Sequence, residues 1–204
     1  MVGRKAFEPE AALDAAIRAF WQRGYSATSV NDLVAATGLS RGSIYATFGD
    51  KNDLFLACLS RYVELVGAPA REALRQPTGG VRERVLASFD VILERMADPG
   101  TPDGCLLAQT AAESGALEAG VQAAVQGLLD DQKAHMRASL TAGGDADPEQ
   151  VESLATYLVT VAQAVAVMHR AGTPVHDLRR TVEHAVRVLD PITTVDRDGA
   201  PSVS

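Results

Sequence analysis

Between its glycines and prolines the chain repeats apolar residues at helical spacing from end to end, which predicts an all-α fold. A first helix begins near Pro9, carries the stripe Leu13, Ala16, Ile17 and Phe20, and closes at Gly24. A short second helix starts at Ser29, a good N-cap with Asp32 at N3, and ends at Gly38. A third runs from Ser40 to about Phe48. Asp50 caps a longer fourth with Phe55, Cys58, Leu59, Tyr62 and Val66, ended or kinked by Pro69. Further helical segments are expected at about 80–97, 102–114 and 116–140. Asp147-Pro148-Glu149-Gln150 is a strong helix start, with a capping Asp, proline at N1 and Gln at N3. That helix should reach about Ala171, and a last one should run from the Gly172-Thr173-Pro174 break to about Asp190.

Composition supports helices over a sheet. Of the 204 residues 47% are apolar but only 5% aromatic, and Ala, Leu and Val supply most of the core. Cys58 and Cys105 are too few for a disulfide scaffold, so a reducing compartment is the simpler expectation. The opening MVGRKAFEPE has no signal-peptide pattern. The longest uncharged apolar stretch, 153–168, is short for a membrane span, so a cytoplasmic chain with no membrane partner is expected. The net charge of −7 is uneven: residues 1–62 hold seven Lys/Arg against six Asp/Glu, and 63–204 hold twelve against twenty. Only the N-terminal part could approach phosphates.

The second and third helices meet at the tight turn Thr37-Gly38-Leu39-Ser40. Val30, Leu33 and Val34 give one apolar face, and Leu39, Ile44 and Phe48 another, both to be packed on the first helix. The far face of the third helix then shows Arg41, Gly42, Ser43, Tyr45 and Thr47, which are poor core residues but able to hydrogen-bond or to permit close approach. A recognition helix needs that combination, because its N-terminal residues meet base edges while its flanks meet phosphates. Free amides and the hydroxyls of Thr28 and Ser29 are expected to face outward at the start of the second helix. Lys51 at the start of the fourth makes a second anion site. Spacing alone also fits an ordinary αα-hairpin with a solvated face.

The residues themselves go further. The stretch FWQRGYSATSVNDLVAATGLSRGSIYATFGDKNDLF, from Phe20 to Phe55, closely resembles the DNA-binding domain of the TetR family. The matching features are Phe20, Gly24-Tyr25, Thr28-Ser29-Val30, Ala35, Gly38-Leu39-Ser40-Arg41-Gly42, Ile44-Tyr45, Phe48, and Lys51 followed by Leu54. The resemblance implies an all-α homodimer that usually represses transcription and leaves double-stranded operator DNA when a small-molecule effector binds. It implies phosphate contacts from Thr28, Tyr45 and Lys51, and base reading by Arg41, Ser43 and Thr47; Arg41 could equally hold a phosphate. Ser29, Ser40 and Gly42 complete the DNA-facing set. Where the family often has His before the Phe matching Phe48, this chain has Thr47. The implied organisation is a helix-turn-helix domain at 1–50, a helical ligand-binding and dimerisation domain at 51–194, and a disordered tail at 195–204.

In that second domain two apolar stripes suit a four-helix dimer interface: Leu154, Leu158, Val161, Val165 and Met168, then Leu178, Val182, Ala185 and Leu189. The alternative is that both belong to one monomeric core. An effector should sit among the central helices, with Cys105, Gln109, Glu113, Gln132, His135 and His169 as candidate contacts. Cys105 opens a helix, where the dipole lowers a thiol pKa. Its Gly-Cys-Leu setting resembles a TetR subgroup with electrophile- or oxidant-sensing cysteines, and a small packing residue is the competing reading. Cys58 is expected in the core. No phosphate-binding Gly loop, HExxH, CxxC or GxSxG occurs, and the four His lack zinc spacing, so neither an enzyme nor a cofactor is expected. The remaining alternative is a helical dimer that binds a small molecule or protein without DNA. The acidic second part hints at a cationic or neutral effector.

Overall fold

The computed structural model describes residues 9–77, 79–142 and 147–190, and these form helices joined by turns, with no strand among the described residues. The tail expected to be disordered, 195–204, lies outside them. Caps set the N-terminal helices where the sequence places them. Helix α1 spans Pro9–Arg23, α2 Val30–Thr37, α3 Arg41–Phe48 and α4 Lys51–Tyr62. Ser29 and Asp50 each form a full capping box, with Asp32 and Asp53 closing it. Gly38 ends α2 in the left-handed conformation, at φ 70°, which a side chain would oppose.

Pro69 does not stop the fourth helix. Val63–Gly67 widens into a π turn and the chain re-enters α-helix as α5, Ala68–Ala73. The amide of Ala68 donates to the carbonyl of Val63, five residues back. Pro69 then falls in the first turn of α5, where a missing N–H costs little. Helix α6 is Val81–Ala97. The next helix starts later than the expected 102, because Gly104 sits at φ +80° and cannot be helical; α7 is Leu106–Ala112, with Cys105 as N-cap, and a 3-10 turn follows at Ser114–Ala116. Helix α8 is Ala119–Thr141, α9 Pro148–Arg170 and α10 Val175–Ala185, the last tightening into a 3-10 turn at Val186–Leu189.

Two cores result. One joins Ile17, Phe20 and Trp21 of α1 to Leu33, Ile44, Leu54, Phe55 and Tyr62, and reaches Leu106 of α7 and Val125 of α8. The other joins Val85, Phe89 and Leu93 of α6 to Leu140, Leu158, Val165, Leu178, Val182 and Leu189. Cys105 packs against both. Buried Arg84 ties α6 to α8 through the hydroxyl and carbonyl of Ser139, at 3.3 and 2.9 Å. Arg61 grips Asp14 in a two-pronged ion pair, at 2.6 and 3.1 Å, fixing α4 to α1.

The stripes expected at a dimer interface turn inward. Leu154, Leu158, Val165, Leu178, Val182, Ala185 and Leu189 are buried within the chain, and Val161 is half-buried. Met168 alone of that set is open, at 48% exposure. Helix α9 is apolar on both sides, so periodicity could not tell which row met the chain's own core. Its 23 residues also reach a length and composition that could cross a membrane, which the uncharged stretch 153–168 did not; here one face packs on α8 and α10.

Two outcomes test this packing. Leu158→Ala should lower unfolding free energy by about 2–5 kcal/mol in denaturant titrations, since Leu158 is fully buried. Asp14 is held below its ordinary pKa of 3.8, first by the Arg61 hydrogen bond. Its contribution is therefore complete above 3.8 and lost as pH falls through the lowered folded value. Asp14→Asn should flatten that part of the acid-unfolding curve; an unchanged curve would show that the pair does nothing for stability.

Candidate functional site

Helix α3 owes its orientation to Ile44, which is 2% exposed and anchors it in the core against α2 and α4. The rest of α3 then faces solvent: Arg41, Gly42, Ser43, Tyr45, Ala46 and Thr47 are all exposed. A Cβ added at Gly42 would meet only Ser40 Oγ, at 3.9 Å, so nothing inside the chain requires glycine there. Arg41 is steered along α2 by donating from Nη2 to Asn31 Oδ1 at 3.0 Å. Ser40 caps α3 by accepting from Ser43 N at 3.1 Å, and the two hydroxyls pair at 2.9 Å. Both are therefore pre-set at the helix start.

Thr28 departs from expectation. It is fully buried, and its hydroxyl donates to Gly24 O at 2.6 Å, so it pegs the turn after α1 instead of facing outward. Ser29 is exposed, but its hydroxyl serves the capping box with Asp32, whose carboxyl is held below its ordinary pKa chiefly by that hydroxyl. Lys51 is half-buried, with Nζ 4.2 Å from the centre of the Tyr25 ring. Burial lowers its pKa, and Glu113 opposes that shift. The Tyr25 hydroxyl donates to Asn52, which sets the start of α4 against α1.

The sensor candidates divide into two groups. Cys105, Gln132 and His135 line an internal cavity of about 140 Å³ bounded by α4 with its π turn, α5, α6, α7, α8 and α9. Gln109 and Glu113 do not line it. Glu113 accepts from Ser26 N at 2.7 Å, and a Cβ on Gly24 would meet Gln109 Nε2 at 2.7 Å, so both brace the turn between α1 and α2. His169 is also structural: its Nδ1 accepts from Gly104 N at 3.0 Å. These residues sit on apolar helices exactly as pocket residues would, and only the packing separates them. Sequence reading missed Tyr62, Arg71, Arg95 and Gln163 in the cavity wall. Arg95 in particular reads as a favourable charge in the last turn of α6.

The Tyr62 hydroxyl donates to Cys105 Sγ at 3.2 Å and accepts from Leu106 N at 3.3 Å. Burial raises the Tyr62 pKa well above 10. Burial likewise pushes the Cys58 thiol up to about 12. His135 is held below its ordinary value by burial and by Arg75 and Arg71, so its ring is neutral at neutral pH. Arg170, at the end of α9, donates to Trp21 O and Gln22 O at 3.0 and 2.8 Å, clasping the C-terminal end of α1.

A buried three-helix head presenting one polar helix, set on a helical body with an internal cavity, defines a helix-turn-helix regulator. Comparison with known proteins agrees. Residues 12–58 match the family described as bacterial regulatory proteins, tetR family, and residues 81–185, about half the chain, match the tetracyclin repressor-like C-terminal domain. The chain belongs to the TetR family of transcriptional regulators. It is 39% identical over 103 residues to the HTH-type transcriptional repressor ComR of Escherichia coli (strain K12), covering 50% of this chain and 49% of ComR. It is 35% identical over 109 residues to the regulator YezE of Bacillus subtilis (strain 168), covering 53% and 56%. The matches thus span about half the length of these relatives. A solved structure of the TetR family regulator CifR, a cysteine mutant complexed with 26bp operator DNA, superposes with a TM-score of 0.81 at 30% identity, over 91% of this chain and 98% of that one. The family comprises regulators and not enzymes.

Gly42→Ala separates the two roles of α3. With open space at Gly42, thermal stability should hold or rise, by up to about 1 kcal/mol, while affinity for a selected DNA site falls. Retained affinity would mean that no partner approaches α3 there. In alkylation of the native protein, Cys58 should stay unmodified until unfolding.

Proposed function

We propose that this chain is a homodimeric repressor that binds a palindromic operator through α3 and is released by a small molecule held in the internal cavity. The observation that carries this reading is the exposed polar face of α3. Arg41, Ser43, Tyr45 and Thr47 stand out on a helix whose position is fixed by Ile44, and Gly42 leaves room for close approach. Arg41, Ser43 and Thr47 suit base edges. Tyr45, the amide end of α2 at Ser29, and Lys51 at the start of α4 suit phosphates. Thr28 contributes by shaping the turn. CifR, solved with operator DNA, supports the same use of this fold. Repression as the sign of regulation rests on relatives named as repressors, ComR among them.

Reading a palindrome needs two heads spaced about 34–36 Å apart. The inward turn of the Leu154 and Leu178 stripes leaves another row for pairing. Tyr157, Val167, Met168 and Val188 are 43–50% exposed, and Thr160 and Ala164 complete the α9 row at helical spacing. An exposed apolar row of this kind along α9 suits the twofold contact of a dimer. The effector reading rests on α4, which runs from the cavity wall at Tyr62 to Lys51 beside the recognition helix. A molecule that reshapes the wall can therefore tilt the head.

Selection of duplexes from a random pool by the purified protein tests the first half. A palindromic site should emerge, and Arg41→Ala should weaken it by about 1–3 kcal/mol with relaxed preference at one base pair. No enrichment even at low salt would remove DNA as the partner. For the dimer, the double substitution Val167→Glu with Met168→Glu should give monomers in sedimentation and abolish operator binding while the helical CD signal stays. A dimer that survives it must use another face.

A further inference from the structure

The cavity wall contains a cation that forms no ion pair among the described residues. Arg95 projects from α6 into a space otherwise bounded largely by apolar groups such as Val66, Ile92, Leu107 and Met136. Among the described residues its buried Nε has no hydrogen-bond partner, and Nη1 makes one long contact, to Val66 O at 3.5 Å. No carboxylate among the described residues lies within ion-pair distance of it. The guanidinium lies 5.7 Å from the centre of the Trp21 ring, whose Nε1 is a second buried donor without a partner. Arg95 is half-buried with its Nε wholly out of solvent, and a guanidinium so withdrawn from water is normally matched by an anion, because the desolvation it suffers is otherwise uncompensated.

The other polar groups of the wall do not supply that match. Arg71 leans toward Glu64, at 4.0 Å, and adds positive charge. Asp131 lines the wall but is exposed, acts on His135, and forms no ion pair with Arg95. Gln132 and Gln163 bind each other at 2.9 Å and leave Gln163 Oε1 buried without a partner. The wall, with Arg71 and Arg95 against Asp131, thus differs in sign from the acidic balance of the second half of the chain, on which a cationic or neutral effector was expected. Volume sets the rest: a dry cavity of roughly 150 Å³ accepts a benzene-sized body, and this one is about 140 Å³.

Resting on the reading of this cavity as the effector site, we propose that its ligand is a small monocarboxylate with an apolar body, the carboxylate received by Arg95 and the ring or short chain filling the apolar space. One unmatched guanidinium calls for one negative charge, and the bidentate fork of arginine fits the two oxygens of a carboxylate. Gln163 then takes any hydrogen-bonding substituent on the body.

The test is calorimetric titration of the full chain with benzoate, phenylacetate and hexanoate against their neutral primary amides, at neutral pH, alongside release of the selected operator. At least one acid should bind about tenfold or more tightly than its amide, a difference of about 1.4 kcal/mol. Arg95→Gln should bring that acid down to the level of its amide. Arg95→Lys should keep the preference for the acid, which separates lost charge from a damaged fold. Equal binding of acid and amide, no binding of any acid at millimolar concentration, or a preference that survives Arg95→Gln would each overturn the inference. Release by the amides as readily as by the acids would leave the effector reading standing and remove the ligand class. Tight, Arg95-dependent acid binding that leaves the operator bound would do the reverse.

Discussion

Helix α4 has to pack against the head at its start and against the body at its end within one continuous core, and the rest of the molecule is arranged around that requirement. At its start, Leu54 and Phe55 pack under the head, with the Phe55 ring edge-on to Phe20 at 4.8 Å. At its end, Tyr62 meets Trp21 edge-on at 4.9 Å and holds Cys105 and Leu106 through its hydroxyl. Arg61 adds the charged clasp to Asp14. Aromatic pairs of this geometry contribute beyond their buried area, so the head is pinned to one rod rather than strung on a linker.

The π turn at Val63–Gly67 follows directly, and it forms part of the cavity wall. A single π turn inside a helix is less favourable than the α-helix it replaces and is often found at functional sites. Here it rotates the chain so that Val63, Val66 and Gly67 face the cavity before Pro69 opens α5. The rod that carries the head is therefore at its least regular where it borders the internal cavity.

The head is also held from behind. Arg170 fastens the end of α9 to the end of α1, and Glu113 and Gln109 brace the turn that leads into α2. These ties cross between the region that matches the N-terminal family profile and the region that matches the C-terminal one. A displacement within the body thus has three routes to the head, through α4, through α7 and through α9, each made of packed or hydrogen-bonded groups.

The amino-acid sequence by itself determined the helices of the head, because caps and breakers act locally. Ser29 with Asp32, Asp50 with Asp53, Ser40 and Gly38 each fix a terminus through neighbours only a few residues away. It also determined that α3 would show Arg41, Ser43, Tyr45 and Thr47, since a short helix with one buried Ile44 has only one face to hide. Tertiary structure decided everything that depends on which of two plausible surfaces meets a partner. Helix α9 is apolar on both sides, and only packing sent Leu154, Leu158 and Val165 inward while leaving Tyr157, Val167 and Met168 outside. Gln109 and Gln132 look alike along their helices, yet one braces a turn and the other lines the cavity. Arg95 reads as an ordinary charge near a helix end until Val66 of the π turn and Trp21 of α1 come up against it. Local rules place elements, but the environment of a side chain is set by residues far away in sequence, and periodicity carries no record of them.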